Sequence, residues 1–256
     1  MEVVDTCSTM KTKGGEGAGY LILKEIQKAI GDYCLIEESD KILIAVSGGK
    51  DSLTLLKFLK EIQSTSSTHF DILAANIKTD FVCSSCAHKD VLDKFFNEVC
   101  VEYVYRKIKV LNDKGKTNCF WCSWNRRKAL FDIAKEFGCN KIALGHHKDD
   151  IVETVLLNIF FKGIISYMKP RQELFDGKMV LIRPLCYVEE DMVREFAREN
   201  DFPSKLCQCP FGRSSQRKKI KEYIREVQSS VPDTDIKSKI FNGVYSAGNH
   251  GNGTKI

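Results

Sequence analysis

Short apolar runs alternate with amphipathic stretches along most of the chain. The near-continuous apolar runs predict buried parallel strands over residues 41–46, 71–77, 102–105, 141–145 and 180–182. Apolar residues at helical spacing predict helices over residues 20–30, 53–63, 91–98, 123–137, 149–161, 189–199 and 214–228. Strands that alternate with helices form right-handed βαβ units. The pattern therefore predicts an α/β, Rossmann-like parallel sheet with helices on both faces and a small C-terminal helical extension.

The same pattern divides the chain into four segments. Residues 1–18 are polar and contain several glycines, and residues 230–256 are polar, so both are predicted to be flexible tails. Residues 19–186 carry the alternating strands and helices and are predicted to form the α/β domain. Residues 187–229 are helical and basic, which predicts a separate segment appended to the sheet.

A turn with two glycines joins the first predicted strand to the next helix. It reads Ser47-Gly48-Gly49-Lys50-Asp51-Ser52. Glycines let backbone N–H groups approach a ligand closely, and the start of a helix carries partial positive charge. The spacing is neither that of a Walker A loop nor that of a dinucleotide fingerprint. A tight turn with an ordinary helix cap is the alternative, but the pattern favours a site for the phosphates of a nucleotide.

Length and charge narrow the classes of partner. The chain has 256 residues and a net charge of +5, and no apolar run approaches the roughly 20 residues of a membrane span. The amino terminus lacks the features of a secretion signal, so a cytoplasmic location and no membrane partner are expected. One basic stretch favours a polyanion such as RNA, although a solvated helix face has a similar composition. It comprises Arg213, Arg217, Lys218, Lys219, Lys221 and Arg225.

Eleven cysteines are conspicuous in a chain expected in a reducing compartment, where cysteines more often bind metal or react than form disulfides. Cys119 and Cys122 form a C-x-x-C pair just before a predicted helix, and Cys207 and Cys209 lie further along the chain. Three thiolates would leave one position of a metal centre open, whereas four would close it as in structural zinc. The residues alone leave both arrangements open. A further C-x-x-C at residues 83–86 is expected to have no function.

The order of the motifs resembles a known family. The turn at residues 47–52 resembles the PP-loop of the ATP pyrophosphatases, which cleave ATP between its α- and β-phosphates. With the downstream motifs, residues 20–227 resemble the tRNA 2-thiocytidine synthetase family. Those motifs are Cys119-Phe120-Trp121-Cys122-Ser123-Trp124-Asn125-Arg126-Arg127, Gly145-His146-His147-Lys148-Asp149-Asp150, Ile182-Arg183-Pro184-Leu185, and Cys209 followed by Gln216-Arg217.

This resemblance implies an ATP-dependent and iron–sulfur-dependent thiolation of tRNA. In that reaction the 2-oxo group of a cytidine in the anticodon loop is adenylated and then replaced by sulfur. The resemblance further implies Mg²⁺ beside the phosphates, placed with the help of Asp51. Lys50, Arg126 and Asp150 are the candidate catalytic residues. A charge that complements the helix dipole is the alternative for Asp150, and contact with RNA or solvent is the alternative for Arg126. The implied contacts to ATP are Ala45, Ser47, Gly48, Gly49, Lys50, Asp51, Ser52, Ile77, Gly145 and Asp150.

The resemblance also implies a [4Fe–4S] cluster on Cys119, Cys122 and Cys209. Because the spacing around Cys209 is shorter than the family's usual pattern, Cys207 is a candidate substitute. The implied partners are tRNA, bound by the basic stretch, and a sulfur donor of the cysteine-desulfurase type or another kind. The sequence leaves open whether the chain forms a homodimer.

Three alternatives share parts of this pattern. A tRNA 2-thiouridine synthetase usually carries extra cysteines at both termini, and this chain lacks such pairs. A cluster-free PP-loop ligase of the lysidine-forming type would have no use for the spaced cysteines. A zinc-stabilised RNA-binding protein without catalytic activity would not need Lys50 or the two serines of the turn.

Overall fold

A single mixed sheet lies at the centre of the computed structural model, which describes residues 17–81, 89–202 and 216–249. Its strands are β1 Asp40–Ala45, β2 Phe70–Thr79, β3 Glu102–Ile108, β4 Lys141–Ala143, β5 Arg171–Leu174 and β6 Met179–Ile182. The order across the sheet is β3-β2-β1-β4-β6-β5. All neighbouring pairs are parallel except β5 with β6, which is antiparallel.

The helices follow the strands in the alternating order that the sequence predicts. They are α1 Ala18–Tyr33, α2 Lys50–Thr65, α3 Lys89–Glu98, α4 Cys119–Glu136, α5 Lys148–Lys162, α6 Glu190–Glu199, α7 Gln216–Ser230 and α8 Ile236–Asn249. None of the helices in the described ranges is long and apolar enough to cross a membrane.

The two faces of the sheet are covered unequally. Successive side chains of a strand point to opposite faces, so Ile42 and Ile44 of β1 face one side and Leu43 and Ala45 the other. Helix α4 packs on the side of Leu43, whereas α1, α2, α3 and α6 contribute to the larger core on the side of Ile42. The expected α/β sheet with helices on both faces is therefore confirmed.

The structure corrects two details of the predicted elements. Strand β5 was not predicted, because its four residues Arg171–Leu174 have no apolar run and pair only at the edge of the sheet. Helix α4 begins at Cys119, four residues earlier than predicted, and Asn118 caps it by accepting a hydrogen bond from the N–H of Trp121. The C-x-x-C pair thus lies in the first turn of the helix and not before it.

The prediction of a flexible tail over residues 230–256 is wrong for α8. Phe241 is almost fully buried and contacts the rings of Tyr187 and Tyr245. The hydroxyl of Tyr245 donates to the carbonyl of Met168 at 2.9 Å. Apolar residues four apart, beginning with Ile236 and Ile240, give this helix its packing face, although the polar composition of the segment obscures it. Of the amino-terminal tail, residues 1–16 lie outside the described residues.

Three chain segments that carry the predicted motifs converge at one edge of the sheet. The turn at residues 47–49 follows β1, the loop at residues 144–147 follows β4, and α4 begins after β3. In a parallel sheet the carboxyl ends of the strands meet at the same edge, and ligands bind there. The fold therefore brings the candidate residues to one side of the molecule.

Candidate active site

The turn between β1 and α2 is a compact cradle closed by its own hydroxyls. The Oγ of Ser52 accepts from the backbone N–H of Ser47 at 3.2 Å and donates to the carbonyl of Gly49 at 2.9 Å. The Oγ of Ser47 accepts from the N–H of Gly49 at 3.3 Å. Gly48 has a φ of 87°, a left-handed conformation that favours glycine. The turn thus presents backbone donors and two hydroxyls at the start of a helix, which suits an anion.

Gly145 is required by close packing against this cradle. A Cβ at this position would lie 3.1 Å from the backbone of Asp51 and Ser52. A side chain here would push α2 away from the loop that follows β4. The sequence analysis expects Gly145 to admit the nucleotide, and that contact stays a prediction. The structure shows a different reason for glycine, which is the approach of two backbone segments.

Lys50 lies between two carboxylates. Its Nζ is 2.9 Å from Oδ1 of Asp51 and 3.3 Å from Oε1 of Glu190, the first residue of α6. The side chain of Lys50 is 28 % exposed, so its ammonium group is held at the surface of the cradle and not buried. A phosphate that enters the turn would compete with these two carboxylates for the same ammonium group.

The start of α5 forms the opposite wall of the site. His147 caps this helix, and its Nδ1 accepts from the N–H of Asp150 while Oδ2 of Asp150 accepts from the N–H of His147. Nε2 of His147 also lies 3.5 Å from Asp150 and 3.8 Å from Asp51. Two candidate carboxylates therefore approach one buried imidazole, although they are 99 positions apart in the sequence. His147 positions both by its place in the helix cap.

His146 is partly buried beside this wall. Burial lowers the pKa of His146 to about 4, so the imidazole is neutral at neutral pH. Its Nδ1 is buried and has no hydrogen-bond partner among the described residues. A neutral imidazole with an unused nitrogen can donate or accept toward a polar ligand.

A ladder of alternating charges joins α5 and α6 to α7. Arg217 contacts Asp150 at 2.7 Å and Glu153 at 3.6 Å. Lys221, one turn further along α7, contacts Glu153 at 3.4 Å and Glu190 at 2.9 Å. Because Glu190 also contacts the lysine of the PP-loop turn, the ladder links the start of α2 to α7 through side-chain contacts.

The pKa values of the two acids that contact Lys221 are shifted in opposite directions. Burial raises the pKa of Glu153 to about 7, and the charges of Lys221 and Arg217 only partly offset this. Burial also acts to raise the pKa of Glu190, but the hydrogen bond from Lys221 and the charges of Lys50 and Lys221 lower it to about 2. Glu190 is therefore a permanent anion, whereas Glu153 titrates near neutral pH.

Other predicted contacts to the nucleotide lie at the ends of β1 and β2. Ala45 is the last residue of β1 and pairs with Ala75, and Ile77 follows two residues later in β2. Both side chains are partly buried on the α4 side of the sheet, next to Leu144. The structure thus places them on the face where α4 begins. Their contact with adenosine stays a prediction.

Two of the predicted metal-binding cysteines, Cys119 and Cys122, lie in the described part of the chain. Cys119 is exposed and Cys122 is partly buried, one helical turn apart at the start of α4. A helix start favours thiolates by its partial positive charge, and this spacing lets two thiolates bind one metal centre. Cys209 and Cys207 lie outside the described residues, as does the pair at positions 83 and 86. Within residues 17–81, 89–202 and 216–249, no group of three metal-ligating side chains is assembled.

The predicted basic residues differ in their surroundings. Arg217 and Lys221 form the ion pairs of the ladder, while Lys218 pairs with Glu222 at 3.8 Å and is mostly exposed. Lys219 and Arg225 are also exposed, and Arg213 lies outside the described residues. Arg126 is partly buried with an Nε that has no partner in the described part of the chain.

Comparison with known proteins decides the family. The PP-loop domain family matches residues 21–204. A tRNA-cytidine(32) 2-sulfurtransferase of Geobacter metallireducens is 39% identical over 241 residues, which cover 91% of this chain and 88% of that protein. The protein of the same name from Acidovorax ebreus is 39% identical over 218 residues, which cover 82% of this chain and 68% of that protein. The chain belongs to the tRNA-cytidine(32) 2-sulfurtransferase family. The predicted resemblance is therefore confirmed.

Solved structures confirm the fold of this sulfurtransferase family member. The U34-tRNA thiolase of Methanococcus maripaludis, solved with its [4Fe–4S] cluster, superposes with a TM-score of 0.76 and 22% identity. The match covers 91% of this chain and 80% of that chain. The NMN synthetase of Francisella tularensis superposes with a TM-score of 0.50 and 11% identity, covering 93% of this chain and 96% of that chain.

The sequence analysis of this sulfurtransferase family member missed two residues of the site, Glu153 and Glu190. Glu153 lies one turn after Asp150 on the same face of α5, so helical spacing could have drawn attention to it. Glu190 reaches Lys50 across 140 positions of sequence. No local pattern signals such a pair.

Proposed function

We propose that this protein thiolates a cytidine of tRNA at the 2-position in an ATP-dependent reaction. The observation that carries the proposal is the placement of the PP-loop cradle and the C-x-x-C helix start at one edge of the sheet, in a chain that shares 39% identity with tRNA-cytidine(32) 2-sulfurtransferases. One element would bind ATP, and the other offers thiolates. The reaction needs both within reach of the same base.

ATP binds in the cradle with its phosphates toward the turn at residues 47–52. Backbone N–H groups and the hydroxyls of Ser47 and Ser52 donate to the phosphate oxygens, and Lys50 leaves its carboxylates to neutralise phosphate charge. Asp51 and Asp150, which share His147 as a neighbour, are the proposed anchors of Mg²⁺ because carboxylates are its preferred ligands.

The chemistry proceeds in two balanced steps. The 2-oxo oxygen of the cytidine attacks the α-phosphorus of ATP, forms the C2–O–P linkage and releases pyrophosphate. A sulfur nucleophile then adds to C2, and the C2–O bond breaks with AMP as the leaving group. The cradle retains the charged pyrophosphate during the first step, and Lys50 and Arg126 are the residues proposed to stabilise the developing charge.

The two cysteines at the start of α4, which lie in the described part of the chain, fit an iron–sulfur cluster. Cys119 and Cys122 offer two thiols one turn apart at a helix start, and Cys209 is the proposed third ligand. A cluster held by three thiolates would supply an open iron position for sulfur. The proposed cellular setting is the cytoplasm, where thiols stay reduced. The sulfur comes from a donor of the cysteine-desulfurase type or another source.

The decisive test is a thiolation assay under anaerobic conditions. The purified protein, with its metal content measured, is incubated with ATP, Mg²⁺, a sulfide source and tRNA, and the nucleosides are analysed by mass spectrometry. We expect 2-thiocytidine together with stoichiometric AMP and pyrophosphate. Cys122→Ser should abolish the product, while Cys34→Ser, an exposed cysteine at the end of α1, should retain it. Formation of 2-thiouridine, or of ADP in place of AMP, would contradict the proposal.

A further inference from the structure

Three large aromatic side chains are exposed at the start of α4. Phe120 is 77% exposed, Trp121 47% and Trp124 46%. The helix buries side chains only from Ala129 onward, so its first ten residues contribute none to the core. These aromatics therefore do not anchor the helix to the sheet. Exposed apolar groups that lie outside the core and close together indicate a site of interaction.

The two indole rings are held in a defined arrangement. The ring centroids of Trp121 and Trp124 are 5.6 Å apart and the ring planes differ by only 13°. The backbone beneath them is fixed at both turns, because Asn118 caps the helix and Nδ2 of Asn125 donates to the carbonyl of Trp121 at 2.8 Å. The pair thus forms a flat, pre-organised aromatic surface and not two independent side chains.

Positive charge surrounds this surface. Arg126, Arg127 and Lys128 follow directly, and Nζ of Lys128 lies 6.0 Å from the ring centroid of Trp124. No carboxylate of the described ranges is within ion-pair distance of these three cations. Aromatic rings interleaved with cations are typical of surfaces that bind single-stranded nucleic acid, where bases stack on rings and phosphates contact the cations.

We propose that Trp121 and Trp124 form a stacking platform for unpaired bases of the RNA substrate, next to the thiols of the same helix. The proposal rests on the proposed function for its substrate class and adds the surface that orients the substrate. A base in a loop is already unpaired, so its transfer onto the platform costs little stacking energy. The platform would hold nucleotides of the loop while the target base enters the site.

The chain contains two tryptophans, and both belong to this platform. Intrinsic tryptophan fluorescence therefore reports on it alone. The probe is an unlabelled stem-loop RNA of the size of an anticodon arm, compared with a fully paired duplex of the same length, both added to the purified protein. Stacking on the rings should quench the emission with the stem-loop and much less with the duplex.

Substitutions of the two tryptophans test whether their rings stack on bases or have another role. Trp121→Ala and Trp124→Ala should each weaken the affinity for the stem-loop about tenfold and change the affinity for the duplex little. Trp124→Phe should restore most of the affinity, because stacking needs a ring but not an indole. Tyr20→Ala removes an exposed aromatic on α1 and serves as the control. Iron content is measured for each variant, because Trp121 lies between two proposed ligands.

The outcomes distinguish this proposal from the proposed function. If Trp124→Ala binds the stem-loop as tightly as the unaltered protein while tRNA thiolation persists, the platform is refuted and the function stands. If thiolation falls with RNA affinity unchanged, the aromatic surface serves another partner, such as a sulfur donor, and the platform is again refuted. If the unaltered protein neither binds the stem-loop nor thiolates tRNA, both proposals fail.

Discussion

Two groups of basic residues flank the candidate site, at the start of α4 and along α7, and they differ in what faces them. On α7, Arg217 and Lys221 point into a row of carboxylates on α5 and α6. At the start of α4, Lys128 lies over the ring of Trp124, and no described carboxylate pairs with Lys128, Arg126 or Arg127. Sequence composition ranks the α7 stretch as the stronger RNA-binding candidate.

The difference shows that a basic run can serve two purposes on one helix. The ion-paired cations of α7 hold the wall of the site and are partly neutralised, so they offer less charge to a polyanion. The exposed cations of the same helix, such as Lys218 and Arg225, are accessible to phosphate. The cations of α4 have no competing carboxylates. Four predictions test the two groups.

The largest effect is expected on the stability of the fold, from the substitution Arg217→Ala. This change removes the cation that contacts Asp150 and leaves Lys221 as the remaining described cation beside the buried Glu153, and weaker compensation of a buried charge is costly. The free energy of unfolding should fall by about 1–3 kcal/mol, measured by chemical denaturation. Lys218→Ala, the adjacent exposed cation, should change it by less than about 0.5 kcal/mol. Equal effects of the two substitutions would show that the ladder does not stabilise the fold.

The next effect is expected on the affinity for ATP, through the contact between Glu190 of the ladder and Lys50 of the PP-loop turn. Glu190→Gln removes a carboxylate that competes with phosphate for Lys50 and that repels ATP. Affinity for a non-hydrolysable ATP analogue, measured by calorimetry, should therefore increase about threefold. Asp191→Asn, an exposed acid of the same helical turn, should leave the affinity unchanged. A weaker affinity in the Glu190 variant would mean that this carboxylate orients Lys50 for the nucleotide.

The pH dependence of the free energy of unfolding tests whether the buried Glu153 titrates near neutral pH. The pKa of Glu153 is raised to about 7 in the folded protein, so its contribution to stability is present below its ordinary pKa and is lost as the pH rises through 7. Glu153→Gln should therefore gain stability relative to the unaltered protein as the pH rises from 5 to 8, by roughly 2 kcal/mol. Glu226→Gln, an exposed acid on α7, is the control. A difference that is constant with pH would show that Glu153 ionises like an exposed acid.

The sequence was sufficient for the parts of the site that are local. The strand, the glycine turn and the helix at residues 42–62 are specified by neighbouring residues, because apolar periodicity and turn chemistry act over short distances. The parallel direction of the strands followed from their alternation with helices. The cap at His147 also uses residues three apart, yet a histidine is not a usual cap residue, and the sequence analysis did not identify it.

The sequence was insufficient where contacts are long-range. The ladder joins residues of α5, α6 and α7, and Glu190 contacts Lys50 across most of the chain. These pairs depend on how the helices pack, which no local pattern encodes. Helix α8 was missed for a different reason. Its apolar spacing was present, but the polar composition around it favoured a flexible tail.

The smallest effect is expected on the salt dependence of RNA binding. This measurement tests the comparison between the cations of α4 and those of α7 most directly. A cation that contacts phosphate releases counterions on binding, so its removal reduces the slope of log affinity against log salt by about one. Arg127→Ala should show this reduction and a few-fold loss of affinity for a stem-loop RNA. Lys221→Ala should leave the slope unchanged, because its charge is already matched by Glu153 and Glu190. Titrations at several salt concentrations measure both slopes. A reduced slope for Lys221→Ala with none for Arg127→Ala would reverse the assignment, and α7 would then be the helix whose inner face meets the RNA.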